Sequence, residues 1–87
     1  MKFHVTLIHT PENCPLAHAG AGLISDWRAR AEEVGITLIS VLVDQLAHTN
    51  FCVVETDDIT KLQEFFRPFL GLARADVRPV RDILHPA

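Results

Sequence analysis

A period-two alternation of apolar and polar side chains recurs along this chain, and it demands a sheet covered on at least one face. Residues 3–10 place Phe3, Val5 and Leu7 on one side and His4, Thr6 and Ile8 on the other. Residues 37–43 and 49–56 are β-branched runs joined by Gln45-Leu46-Ala47, which reads as a hairpin. Pairing Asp44 with His48 gathers Ile39, Val41, Val43, Phe51 and Val53 on one side. Leu38, Ser40, Leu42, Asp44, His48, Asn50, Cys52 and Val54 then share the other.

Helical spacing fills the gaps between these runs. Thr10-Pro11-Glu12-Asn13 is turn chemistry, and Pro15 suits a first helical position capped by Cys14 or Asn13. Leu16, Leu23, Ile24, Trp27, Ala31 and Val34 follow at helical intervals until Gly35 stops them. Gly20 and Gly22 weaken the first half of that helix by about 1 kcal/mol each, so it starts near Ala21 or something packs closely on its backbone. Asp57-Asp58 opens a second helix with the stripe Ile59, Leu62, Phe65 and Phe66, ended or kinked by Pro68. Residues 77–84 read as a last strand, which Pro79 confines to an edge.

The resulting order, βαββαβ, is the split βαβ or ferredoxin-like arrangement, a single α+β domain over residues 1–87. Its sheet is antiparallel in the order 4-1-3-2, with both helices on one face. The helix side receives Phe3, Val5 and Leu7 together with Ile39, Val41, Val43, Phe51 and Val53. The other side keeps Ile8, Leu38, Leu42, Val54 and Val80, more apolar surface than water tolerates. Two sheets packed face to face would cover it, so the expectation is a homodimer that encloses a cavity. A chain of 87 residues is marginal alone, burying roughly 60% of its unfolded surface, which adds to that expectation.

Composition removes several classes. The net charge of −3 and the lack of a basic patch with interleaved aromatics argue against nucleic acid as partner. No apolar run is long enough to span a bilayer, and no secretory leader is apparent, so the expected location is the cytoplasm. Two cysteines there are free thiols or ligands rather than a structural disulfide.

Four of the five histidines and both cysteines fall in two stretches: His4, His9, Cys14 and His18, then His48 and Cys52. Imidazole and thiol are the usual ligands of Zn, Ni and Cu and the usual acid–base and nucleophilic groups. Two sets follow. The expected cavity face brings His4, Ser40, Asn50 and Cys52 together as a polar strip able to hold a cofactor or small ligand. The end of the first strand brings His9, Cys14, His18 and His48 towards a metal set, with Asp44 beside His48. In this pairing His9 points to the helix side and His48 to the cavity, so they share an ion only if the strand end twists. Cys14 with His9 or His18 is a thiolate–imidazole alternative.

At the level of topology the chain resembles the dimeric α+β barrel superfamily, which includes monooxygenases, isomerases, haem-binding and stress-response proteins. The stretch Asn50-Phe51-Cys52-Val53-Val54-Glu55, the acid-started helix, Gly71-Leu72 and Val80-Arg81-Asp82 resemble a family of small nickel-binding ferredoxin-like proteins. The run His9-Thr10-Pro11-Glu12-Asn13-Cys14-Pro15 departs from that pattern. The resemblance implies a small homodimer that binds nickel, with haem as a further cofactor class, while the ligand types of His9, Cys14, His18 and His48 suit Zn, Ni or Cu. The alternatives are a cofactor-poor monooxygenase or isomerase acting on an apolar molecule in the barrel, with His4 as acid–base, and a non-catalytic ligand-binding module.

Overall fold

The alternation around Phe3, Val5 and Leu7 becomes β1 (Lys2–His9), an inner strand of a four-stranded antiparallel sheet. A computed structural model of the chain describes residues 1–13 and 26–85. A 3-10 turn, Pro11–Asn13, follows β1. Next come α1 (Trp27–Val34), β2 (Thr37–Asp44), β3 (Thr49–Glu55), α2 (Ile59–Phe66), a 3-10 turn at Arg67–Phe69, and β4 (Ala73–Val80). The strands lie in the order β2-β3-β1-β4, the arrangement expected of a ferredoxin-like α+β fold. The expected helix start at Pro15, its Cys14 cap, and Gly20 and Gly22 lie outside the described residues. No helix among the described residues is long and apolar enough to cross a membrane.

Both helices pack on one face. Trp27 and Ala31 of α1 and Leu62, Phe65 and Phe66 of α2 join Phe3, Val5, Leu7, Cys52 and Val54 in one buried cluster. The Trp27 ring meets Phe65 edge-on at 5.9 Å and lies 5.2 Å from Phe69, so it is a core residue, as its helical spacing indicates. Arg30, one turn along, lies over the Phe65 ring at 5.1 Å and donates from Nη2 to the Phe65 carbonyl at 2.6 Å. Gly35 ends α1 in the left-handed region at φ 89°, and its N–H reaches the Ala31 carbonyl. Asp58 caps α2, its carboxylate accepting from the Thr60 N–H at 2.8 Å.

The hairpin register differs from the expected one. Asp44 pairs with Thr49, not His48, so the loop holds four residues, Gln45 to His48, instead of three. Local hydrogen bonds enforce this: Ala47 N–H donates to Asp44 Oδ1, His48 N–H to the Gln45 carbonyl, and Thr49 Oγ1 to the Ala47 carbonyl. His48 adopts φ 51°, a left-handed conformation that closes the turn. One added loop residue inverts β3 relative to β2. Val41 therefore faces Cys52, and Val43 faces Asn50, on the helix side. A bulge between Leu38 and Ser40 then returns Leu38 to that side, opposite Val54. Phe51 and Val53 consequently lie on the open face, not in the core, and Asn50, Cys52 and Val54 lie under the helices.

The last strand starts earlier than its sequence pattern indicates. β4 pairs with β1 from His9↔Ala73 to Lys2↔Val80, and β1 offers no partner beyond Lys2. Asp82 then turns the chain, Oδ1 accepting from the N–H groups of Leu84 and His85. Pro79 sits in this edge strand, where a missing N–H costs least.

Phe65 is fully buried where the helices and sheet meet. Phe65→Ala is expected to lower unfolding free energy by about 3–5 kcal/mol, read as a fall in the urea midpoint without a change in slope.

Candidate functional site

The register decides which chemically active side chains meet. His4 pairs with Val53 and Arg78 on the open face, and its ring lies 6.2 Å from Phe51. Ser40, opposite Val53, shares that face. Asn50 and Cys52 do not: they pair with Leu7 and Val5 beneath the helices. The expected strip of His4, Ser40, Asn50 and Cys52 is therefore divided between the two sides of the sheet. Cys52 has no solvent exposure, and its Sγ donates to the Val5 carbonyl at 3.6 Å. Burial pushes its thiol up to about 12, which keeps it protonated among its apolar neighbours.

At the other end of β1 the same shift has the opposite effect. His9 is in phase with Leu7 on the helix side, and the ring of His48, in the turn just before β3, meets the His9 ring there. The His9 N–H donates to the His48 carbonyl at 3.1 Å, extending the β1–β3 ladder into the turn. Their rings meet edge to face, 5.3 Å apart at 74°. Among the described residues, His9 Nε2, His48 Nδ1 and Asn50 Oδ1 are buried and have no hydrogen-bond partner. Leaving such an atom unpaired costs about 1–3 kcal/mol, so three at one strand end mark it as the candidate site. Two further buried donors without an acceptor among the described residues, Trp27 Nε1 and Arg30 Nη1, lie on α1 against Phe65 and Phe69.

Electrostatics favours the neutral form of His9. Burial lowers the His9 pKa, and the nearby His48 lowers it further. Glu12, on the 3-10 turn, is held below the usual carboxylate range by its own backbone N–H, by a hydrogen bond with Thr10 and, less strongly, by His48. Cys14 and His18, the remaining members of the expected metal set, lie outside the described residues. Among the described residues, no group of three or more His, Cys, Asp and Glu side chains is placed to hold a metal ion. Asn50 and Cys52 are residues that sequence reasoning put on the wrong face, because the turn takes one more residue than expected.

A family model described as a domain of unknown function, DUF3303, matches residues 1–84. The chain belongs to the DUF3303 family. No curated protein matches it. The chemistry of this DUF3303 member therefore has to be argued from its own side chains.

A lowered His9 pKa has a definite sign. The unfolded imidazole titrates near 6.5, and the folded one below that. Protons bind the unfolded state better, so His9's contribution to stability is complete above 6.5 and lost as pH falls through its folded value. In an NMR titration of apoprotein, His9 is expected to titrate below 6.5 and to move upward in His48→Gln, though not fully, because burial remains.

Proposed function

We propose that the chain is a small homodimeric protein that binds a transition metal ion, nickel, zinc or copper, through imidazoles at the β1–β3 end of its sheet. The observation that carries this reading is a pair of buried ring nitrogens, His9 Nε2 and His48 Nδ1, that have no hydrogen-bond partner among the described residues, on rings 5.3 Å apart. A metal needs the lone pair of neutral imidazole, and the depressed His9 pKa keeps that lone pair free at neutral pH. Cys14 and His18 are further ligand candidates from the sequence. Cytoplasm is the compartment this reading takes, in keeping with the free thiol of Cys52. Chelated protein reconstituted with Ni, Zn or Cu and analysed for metal is expected to bind it with His4→Gln as with wild type. His9→Gln and His48→Gln should lose it. Equal metal content in all four proteins would refute the reading.

The homodimer is supported by the open face. Leu42 is 65% exposed there, and Ile8 and Val80 are also exposed, although Phe51 and Val53 adjoin them. A second copy is the occupant that charge favours. Asp44, Thr49, Ile8 and Arg74 form one row across the sheet, and Glu55, Lys2 and Val80 another. A twofold axis along the strands, between β1 and β3, lays β2 over the partner's β4. Asp44 then meets the partner's Arg74, and Glu55 meets the partner's Lys2. A twofold across the strands would instead set Lys2 on the partner's Ile8. By sedimentation, Leu42→Glu is expected to yield monomer. Asp44→Lys should weaken the dimer and Arg74→Glu added to it should restore it; unchanged association in Leu42→Glu would contradict the interface.

The enzyme and small-ligand alternatives, a monooxygenase, an isomerase or a binding module working between the sheets, retain His4 and Ser40 but lose Asn50 and Cys52 to the helix side. That leaves them with fewer convergent polar groups than the metal reading has.

A further inference from the structure

We infer that the outer edge of β4 pairs antiparallel with β4 of a second copy, Ala75 opposite the partner's Ala75, so that one sheet continues across both chains. This contact uses the rim of the sheet and depends neither on the metal nor on the open-face dimer. Backbone direction comes first. The His9 N–H donates to the His48 carbonyl and the Met1 carbonyl accepts from the Thr56 N–H, so the odd-numbered residues of β1 bond towards β3. Alternation turns Lys2, His4, Thr6 and Ile8 towards β4, where they meet Val80, Arg78, Asp76 and Arg74. The N–H and C=O groups of Ala73, Ala75 and Val77 therefore point away from the sheet. Among the described residues, no strand lies beyond β4 to take them.

The opposite edge of the sheet is guarded and this one is not. A bulge between Leu38 and Ser40 interrupts β2, and bulges blunt an edge. β4 runs without one from Ala73 to Val80, and Pro79, which removes an outward donor, stands near its end. Charge then selects the occupant and its register. Arg74, Asp76 and Arg78 share the open-face side of β4. Asp76 opposite the partner's Asp76 would also set Arg74 against the partner's Arg78. Arg74 opposite the partner's Arg74 would set like charges at the centre. Val77 opposite the partner's Val77 would put Pro79 across from the partner's Ala75 and forfeit a donor. With Ala75 opposite the partner's Ala75, Arg74 meets the partner's Asp76, Asp76 meets the partner's Arg74, and Ala73 meets the partner's Val77. Every outward residue then exchanges both of its backbone hydrogen bonds, and opposite charges stand directly across the seam. On the helix side an apolar groove runs beside β4, lined by Ile59, Leu62, Phe66, Leu70, Ala75 and Val77. Ile59 and Leu70 are more than half exposed. The partner's Val77, across from Ala73, brings apolar surface to that side.

The contact is narrow, so it forms at higher protein concentration than the face-to-face dimer. Amide hydrogen exchange reads it residue by residue. In wild type, exchange at Ala73, Ala75 and Val77 is expected to slow severalfold between dilute and concentrated protein, while Arg74, Asp76 and Arg78, already bonded to β1, change little. Asp76→Arg should abolish that slowing, and Arg74→Asp added to it should restore it, because each charge again faces its opposite. Ala75→Pro, which an edge strand tolerates as it tolerates Pro79, should abolish the slowing at Ala73 and Val77 while circular dichroism stays native. Exchange at the three amides that is equal at both concentrations in wild type would overturn the inference, as would slowing that survives Asp76→Arg. A double variant that fails to recover would overturn the register centred on Ala75.

Discussion

The pairing of Val5 with Cys52 sets the side of the sheet on which every chemically active residue of β1 and β3 stands. Side chains alternate strictly along a strand, so one pair on the buried side fixes all the others. Phe3 and Leu7 follow Val5 inward, and Val54 and Asn50 follow Cys52. His9 extends the first series to the strand end, where its ring meets that of His48 in the turn. His4, Phe51 and Val53 follow the opposite parity to the open face. The core and the candidate site are thus two ends of one layer: apolar beneath Phe65 and Trp27, polar where the strands run out.

That layer explains why Cys52 stands apart from the two imidazoles of the candidate site. Cys52 occupies the middle of the layer, where burial keeps its thiol protonated. The histidines lie at the margin, where the β3 turn and the Pro11–Asn13 turn bring in polar backbone and Glu12. Burial there is enough to keep His9 neutral without sealing the site within the apolar core. The price is three polar atoms that no group among the described residues satisfies.

Much of the architecture was legible in the sequence because it depends on period and punctuation. The inward series Phe3, Val5, Leu7, the stop at Gly35, the Asp58 cap and the stripe Leu62, Phe65, Phe66 all read directly. The face of β3 did not, because parity across a hairpin depends on how many residues the turn consumes. Nothing in Gln45-Leu46-Ala47-His48 signals that His48 will take a positive φ and join the loop. The bulge at Ile39 was equally hidden, and so was the start of β4, which is set by the length of β1. A single-residue error in the turn moved Asn50, Cys52 and His48 together. It separated His9 from His48 on paper and joined His4 to Cys52.

The central claim is that this register gathers His9, His48 and Asn50 on the helix side. A NOESY spectrum with assigned histidine rings tests it most directly. The account predicts cross-peaks between the His9 and His48 rings and from His48 to the Asn50 side chain. Cross-peaks from the His48 ring to His4 or Leu42 across the open face, with none to His9, would contradict it.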